Sequence, residues 1–152
     1  SQLAEIWAQV AVLNYGLNRV NCYSGGTQTT AVYPMIIETL KNQGVMVYQI
    51  GSGVDNPLYA VKVTANAKPM VIFSKKYDHP FNPSDNFLAV MTCDEAYENC
   101  PYIPGANERI NLSYEDPKSS DGTEEQVSTY LRRSNQIKKE MDYVFKSVKS
   151  KM

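Results

Sequence analysis

A short apolar run that ends beside a cysteine restricts the fold more than any other feature of the chain. Residues 87–91 read Phe-Leu-Ala-Val-Met, which suits a buried strand and is too short for most helices. Cys93 stands just after this run, and Cys100 follows seven positions later, directly before Pro101. In open α/β sheets, ligands bind at the carboxyl ends of strands. The run therefore predicts one thiol at the end of a buried strand and a second in a polar loop or short helix nearby.

The two cysteines allow three interpretations. Free cysteines often act as small buried hydrophobic residues. A zinc site needs further ligands close in sequence, and His79, the only histidine, is distant. A reversible disulfide needs Cα atoms within about 7 Å, whereas a rigid helix would hold Cys93 and Cys100 about 10 Å apart, so that bond would require the segment to rearrange. The residues alone leave the buried and the redox interpretations open and make zinc the weakest.

Length and charge exclude several classes of function. The chain has 152 residues and a net charge of −1, which fits one domain over 1–152 and gives no electrostatic reason to expect nucleic acid or a membrane surface as a partner. No apolar run approaches the ~20 residues of a membrane span. Three cysteines without a visible signal peptide indicate a reducing, cytoplasmic setting. The absence of Met before Ser1 predicts a processed, clipped or incomplete N-terminal end.

Helical and strand patterns alternate along the chain. Helices are predicted from Ser1, as N-cap, to Gly16, over Thr30–Lys41 and from Thr123 onward. Strands are predicted at Val20–Ser24, Val45–Ile50, Leu58–Thr64, Met70–Ser74, Phe87–Met91 and Arg109–Tyr114. This alternation predicts an α/β fold, a parallel sheet with helices on both faces. Residues 45–64 would add an antiparallel β-hairpin to it.

The last helix carries signals for capping and packing. Thr123 and Gln126 match a capping box at its start. Residues at helical spacing predict an inner face made of Val127, Leu131, Ser134, Ile137, Met141, Val144 and Val148. This pattern is typical of a long packing helix, and we assign it no chemistry.

A few other residues suggest chemistry or its absence. Asp116 follows the strand predicted at 109–114, so it is either a carboxylate at a strand end or the cap of a turn. Cys22 is interpreted as a core residue. The pair Gly25–Gly26 beside a helix start is a weak signal for anion binding. The remaining polar residues of note are expected at the surface: Lys75, Lys76 and His79.

Several stretches together resemble the low-molecular-weight protein tyrosine phosphatase fold, and in particular its thioredoxin-coupled arsenate reductase branch. They cover most of the chain in the family's order, as SQLAEIWA (1–8), YSGGT (23–27), VMTCDEAYENCP (90–101), YEDPK (114–118) and DGTEE (121–125). The cysteine spacing combined with Asp-Pro and Gly-Thr-Glu-Glu makes the resemblance specific. It implies a low-molecular-weight phosphatase-like sheet whose first central strand is missing from this chain.

The resemblance also implies a set of roles. In that family, a Cys-x5-Arg-Ser/Thr loop cradles a tetrahedral arsenate or phosphate oxyanion, and its cysteine is the nucleophile. Ser1 aligns with the residue after the arginine, which makes Ser1 part of the oxyanion site and places the nucleophile loop before it. Asp116 resembles the general acid. Cys93 resembles the relay thiol that attacks the arsenate adduct and releases arsenite, and Cys100 the thiol that then attacks Cys93, so that thioredoxin reduces the final disulfide. No metal or cofactor is implied.

Two other functions stay open at this stage. A tyrosine phosphatase of the same fold needs the loop and the acid, with the cysteine pair protecting against oxidation. A non-catalytic binding domain would account for the missing loop. Residues 1–152 alone, without the nucleophile loop, are expected to be inactive. Because a missing central strand leaves backbone groups unpaired, we expect either residues before Ser1 or a second chain, in a homodimer or by a strand swap.

Overall fold

The computed structural model describes residues 1–51, 54–92 and 102–152. In this part of the chain, the helices are α1 (Gln2–Asn14), α2 (Pro34–Asn42) and α3 (Gln126–Ser150), and a short 3-10 helix spans Pro117–Ser120. The strands are β1 (Met46–Ile50), β2 (Leu58–Lys62), β3 (Met70–Ile72), β4 (Phe87–Met91) and β5 (Ala106–Asn111). Cys93 and Cys100 lie outside the described residues.

The larger sheet is antiparallel and has the order β1-β2-β3. Ile50 pairs with Leu58 and Tyr59 with Ile72, so the predicted hairpin at 45–64 is confirmed. Outside the hairpin, the prediction of a parallel arrangement is wrong for β3, which pairs antiparallel with β2. The reason lies in the short connections between the strands of this sheet, which can reverse the chain but are too short for the crossover that parallel neighbours need.

A second sheet pairs β4 with β5 in parallel, with Val90 opposite Ile110. Residues 92–105 between them are long enough for a crossover connection. The prediction that the apolar run at 87–91 is a strand is therefore confirmed, and the chain has the mixed helix and strand content expected of an α/β fold. The prediction that this strand is buried holds for one face only, since Leu88 and Val90 are exposed. No strand is present at 20–24, where one was predicted. Gly26 instead makes an isolated parallel bridge to Lys76.

The main hydrophobic core lies between α1, α2, α3 and the inner face of the antiparallel sheet. α1 is apolar around most of its circumference, and Ile6 and Trp7 are almost fully buried. The indole Nε1 of Trp7 donates to Ser134 Oγ (2.8 Å), and that hydroxyl donates to Gln43 Oε1 (2.6 Å). This chain of hydrogen bonds explains why a serine occupies the inner face of α3.

The inner face of α3 is shorter than its pattern predicts. Ser134, Ile137 and Met141 are buried, together with Tyr130, which was not predicted. The other predicted members are partly exposed: Val127, Leu131, Val144 and Val148. α3 has 25 residues and α1 has 13, which corresponds to lengths of about 37 Å and 20 Å. The ends of α3 therefore extend past the helix that covers its middle.

Of the two predicted helix caps, Ser1 is confirmed in position and the capping box before α3 is wrong. The Ser1 side chain makes no capping hydrogen bond, although Ser1 occupies the N-cap position of α1. The capping box at Thr123 and Gln126 is wrong, because the Thr123 hydroxyl donates to Ser120 O (2.7 Å) and Gln126 Oε1 accepts from Gly122 N (2.9 Å). These bonds close a tight turn before α3 begins at Gln126.

None of the described helices combines the length and the apolar character that crossing a membrane requires.

Candidate active site at the start of the first helix

Three chain segments meet beside the first turn of α1. The loop at 23–27 is held against residues 75–77, which follow β3, by two backbone hydrogen bonds. Gly26 N donates to Lys75 O (2.9 Å), and Tyr77 N donates to Gly26 O (3.0 Å). Asn82 fixes the same loop, since its Nδ2 donates to Ser24 O (3.0 Å). The loop thus presents Ser24 toward α1, and Gly25–Gly26 is not at the start of α2, which begins at Pro34.

The approach of this loop to Tyr77 requires glycine at position 25. A Cβ atom there would lie 2.5 Å from Tyr77 Cα and 2.8 Å from Tyr77 N. We expect Gly25→Ala to lower the free energy of unfolding by about 1–3 kcal/mol, because backbone atoms must shift to admit the methyl group. Urea unfolding measures the effect. Gly26→Ala is the matched control, since its added Cβ would meet nothing closer than 3.9 Å. Equal losses in the two variants would contradict the packing argument.

Glu5 is a carboxylate on the buried side of α1. It is 5% exposed, and it accepts a short hydrogen bond from the Ser24 hydroxyl, which is 8% exposed. Burial raises the pKa of Glu5, while the hydrogen bond from Ser24 and the positive charge of Lys75 act in the opposite direction. On balance, the surroundings of Glu5 therefore disfavour its charged form.

Lys75 supplies a buried positive charge to the same place. It is 2% exposed, and its Nζ has no hydrogen-bond partner among the described residues. The ammonium lies 4.6 Å from the ring centre of Phe73 and 5.4 Å from that of Phe81. Burial lowers the pKa of Lys75, and the charge of Glu5 opposes this shift. The prediction that Lys75 is solvated is wrong, because two aromatic rings and the Gly26 loop cover it.

Cys22 lies next to this cluster and has an unreactive thiol. It is partly buried against the hydrophobic core, and its backbone N donates to Gln9 Oε1 (2.9 Å). Burial, with a smaller contribution from the charge of Glu5, raises the pKa of Cys22 to about 12. The interpretation of Cys22 as a core residue agrees with this environment.

We expect alkylation of Cys22 by iodoacetamide to be very slow in the folded protein. Because its pKa is raised from 9.0 to about 12, the thiolate fraction near pH 8 should be roughly a thousandfold below that of an ordinary cysteine. Mass spectrometry of the peptide that contains Cys22 gives the rate, and the urea-unfolded protein is the control. A native rate close to the unfolded rate would show that the thiol is accessible and ionised.

Asp116 is exposed and caps the 3-10 helix. Its carboxylate accepts a hydrogen bond from Lys118 N (3.0 Å), which matches the turn-cap alternative. Asp116 also lies within electrostatic range of Ser1. Ser1 is exposed, and Glu5 is within electrostatic range of its backbone nitrogen as well. Ser1, Glu5 and Asp116 therefore lie close to one another at the start of α1.

Asp116 is also within electrostatic range of a buried tyrosine, Tyr130. The Tyr130 hydroxyl donates to Asp121 Oδ1 (2.6 Å), and the Tyr130 ring centre lies 5.8 Å from that of Tyr33. Burial raises the pKa of Tyr130, and the hydrogen bond to Asp121 and the charge of Asp116 add to the shift. The exposed carboxylate of Asp116 is thus within electrostatic range of both the start of α1 and the Tyr33–Tyr130 pair.

The structure adds three site residues to those that the sequence suggested, namely Glu5, Ser24 and Lys75. Glu5 could have been found from the sequence, because it is a carboxylate among the buried positions of an apolar helix. Lys75 could not have been found in this way, because the next residue, Lys76, is also a lysine and is exposed as predicted. His79 is also exposed, as predicted.

The cluster combines opposite charges with restricted access of water, and groups perturbed in this way occur more often at functional sites than elsewhere. Within residues 1–51, 54–92 and 102–152, no group of at least three His, Cys, Asp or Glu side chains is placed to hold a metal ion. The charges available at the start of α1 are thus those of Glu5, Lys75 and Asp116.

Comparison with known proteins points to one kind of enzyme. No protein-family model matches the chain. The arsenate reductase of Halalkalibacterium halodurans is 25% identical over 134 residues, which span 88% of this chain and 76% of that protein. The arsenate reductase of Bacillus licheniformis is 23% identical over 133 residues, with the same coverage of 88% and 76%. The chain is arsenate-reductase-like in sequence. This similarity supports an arsenate-reductase-like family and, in general terms, an arsenate-reductase-like function.

Proposed function

We propose that this protein is an oxyanion-processing enzyme that reduces arsenate, with Cys93 and Cys100 as relay thiols and Asp116 as the general acid. The similarity to two arsenate reductases over 88% of the chain carries the proposal. The thiols lie outside the described residues, so their roles rest on the sequence pattern. The resemblance supplies thioredoxin as the electron donor and a nucleophilic thiol in a loop before Ser1.

The perturbed charges at the start of α1 support a functional site there. Glu5 and Lys75 are each buried where the surroundings disfavour their charged forms, and such groups occur more often at functional sites than elsewhere. Asp116 is exposed and within electrostatic range of Ser1, so it is accessible to a substrate bound at the helix start. A carboxylic acid in this position can protonate an oxygen that leaves arsenic.

The proposed reaction balances in electrons and protons. The loop thiol displaces one oxygen of arsenate, which leaves as water after protonation by Asp116. The Cys93 thiolate then attacks the sulfur of this adduct, so a sulfur–sulfur bond forms while the sulfur–arsenic electron pair passes to arsenic. Arsenic(V) is thereby reduced to arsenic(III) and leaves as arsenite. Cys100 attacks Cys93 and frees the loop thiol, and the thioredoxin dithiol returns two electrons to the Cys93–Cys100 disulfide.

A turnover experiment tests this assignment. The whole protein, including any residues before Ser1, is incubated with arsenate and reduced thioredoxin, and arsenite is measured per mole of protein. We expect many turnovers for the native sequence and at most one for Cys100→Ser, because Cys93 then stays in a disulfide with the loop thiol. Cys22→Ser is the matched control and should turn over normally, since its thiol is buried and unreactive.

Three outcomes would count against the proposal. Repeated turnover by Cys100→Ser would exclude the relay. Hydrolysis of an aryl phosphate without thioredoxin, in the absence of arsenite formation, would identify a phosphatase instead. A whole protein that has neither activity would leave a non-catalytic binding domain as the better description.

A further inference from the structure

The opposite end of α1 from the candidate site forms a groove with the last turns of α3. A cavity of about 280 Å³ lies there, lined by Gly16, Leu17, Asn18, Arg19, Val20, Val148 and Met152. We call this surface the end groove. α1 has 13 residues, so the end groove is about 20 Å from the first turn of that helix. Its role must therefore be separate from the proposed chemistry.

The end groove is apolar and incompletely covered. Leu17 is 4% exposed and forms part of its floor, while Val20 is 37% exposed and Val148 is 41% exposed. Val144, one helical turn before Val148, is 39% exposed. Val144 and Val148 belong to the face of α3 that packs into the core nearer its middle. This part of the face has the pattern of a buried surface without a matching helix against it.

The rim of the end groove is positively charged. Arg19 lines the cavity itself. Lys149 and Lys151 lie one and three positions after Val148, and at about 100° per residue these spacings place them on either side of it. Residues 16–20 and 143–152 contain no Asp or Glu, and Asp142, just before the second range, accepts a hydrogen bond from the Tyr15 hydroxyl (2.9 Å) and is outnumbered by the three cations. Among the described residues, the salt bridge at Arg133–Glu115 involves none of these cations. The local charge is thus positive on a chain whose net charge is −1.

We propose that the end groove docks a segment of a partner protein that combines an apolar anchor side chain with neighbouring carboxylates. The anchor fills the cavity beside Val148, and the carboxylates meet Arg19, Lys149 and Lys151. A second copy of this chain fits poorly, because a two-fold contact would bring the same positive rims together. A flat lipid surface fits poorly as well, because the groove is concave and only a protruding side chain fills it.

A peptide selection tests the proposal on the whole protein. Random-sequence peptides displayed on phage are selected against it, and we expect the bound peptides to combine Leu, Ile, Phe or Met with adjacent Asp or Glu. The best peptide is synthesised with a fluorescent label, together with a counterpart in which each acidic residue is Lys. Fluorescence anisotropy should show binding of the acidic peptide, weakened by salt, and no binding of the basic one.

Two variants and a control locate the binding site. Val148→Asp should weaken binding of the acidic peptide by about tenfold or more, which corresponds to a loss of about 1.4 kcal/mol or more and is expected for a central anchor contact. Arg19→Gln with Lys149→Gln should reduce both the affinity and its dependence on salt. Val127→Asp is the matched control, because Val127 is 53% exposed at the other end of the same helix. Circular dichroism confirms that each variant is folded.

Several results would overturn the proposal. Selected peptides without an excess of Asp or Glu would show that the positive rim does not determine binding. If Val127→Asp weakened peptide binding as much as Val148→Asp, the binding site would not be the end groove. Self-association in the ultracentrifuge that Val148→Asp abolishes would assign the groove to a second copy. Binding to phosphatidylglycerol vesicles in place of peptide would assign it to a membrane. A whole protein that selects no peptide because further residues of its own chain cover the groove would also refute the proposal.

Discussion

The whole protein carrying Asp116→Asn should reduce arsenate about 10²- to 10⁴-fold more slowly than the native sequence, which is the usual loss when a general acid is removed. The asparagine side chain cannot deliver a proton to the oxygen that leaves arsenic. It should retain the other function of the position, since an asparagine oxygen can also accept the hydrogen bond from Lys118 N that Asp116 accepts at 3.0 Å. The initial rate of arsenite formation with excess thioredoxin measures the effect.

The asparagine variant separates chemistry from folding. Asn and Asp are about equally good caps, so the free energy of unfolding should change by less than about 0.5 kcal/mol. Asp116→Ala removes both the acid and the cap, and it should lose activity and some stability together. Lys118→Gln is the neighbouring control and should keep the native rate. If Asp116→Asn works at the native rate, Asp116 is a turn cap alone and the general acid lies elsewhere.

The double variant Glu5→Gln with Lys75→Met should be more stable than the native sequence by about 1–4 kcal/mol at neutral pH, as found when buried charge pairs are replaced by neutral groups. Burial raises the pKa of Glu5 and lowers that of Lys75, so each charge is net unfavourable in the folded protein. Gln at position 5 can still accept the Ser24 hydrogen bond. Met at position 75 can pack its sulfur against Phe73 and Phe81.

The single variants test whether the two charges attract each other. Each single substitution relieves its own burial cost but removes the attraction felt by the partner. The gain of the double variant should therefore exceed the sum of the single gains, by a coupling free energy of about 0.5–3 kcal/mol. Urea unfolding of all four proteins provides the cycle. Additive effects would mean that Glu5 and Lys75 do not interact, and a less stable double variant would mean that the pair is structural.

The contribution of Glu5 to the free energy of unfolding depends on pH with a definite sign. Because the folded pKa of Glu5 is raised above its ordinary value of 4.5, its contribution to stability is fully present below pH 4.5 and is lost as the pH rises through the folded pKa. The advantage of Glu5→Gln should thus be small in acid and grow toward neutral pH. If buried charge at this position is retained for function, the stabilised variants should also reduce arsenate more slowly. A stabilised variant with full activity would show that Glu5 and Lys75 take no part in the reaction.

Some features of this fold follow from patterns within single segments. The apolar run at 87–91 forms a strand and the segment at 45–64 forms a hairpin, because length, apolar content and turn residues are properties of neighbours in the chain. The periodicity after Thr123 likewise predicts a long helix. It does not reveal that Val144 and Val148 stay exposed, since that depends on where α1 ends. A repeating pattern shows which face can be buried, whereas the partner element decides how much of it is.

The sequence by itself determined the arsenate-reductase-like resemblance, the candidate thiols Cys93 and Cys100, and the position of Asp116 after a strand. Only the tertiary structure decided that Lys75 is buried within electrostatic range of Glu5, while Lys76 faces solvent. The physical reason is that the burial of a charge depends on groups distant in sequence. Here Phe73, Phe81 and the loop around Gly26 exclude water from one lysine of an adjacent pair, and no local pattern distinguishes it from the other.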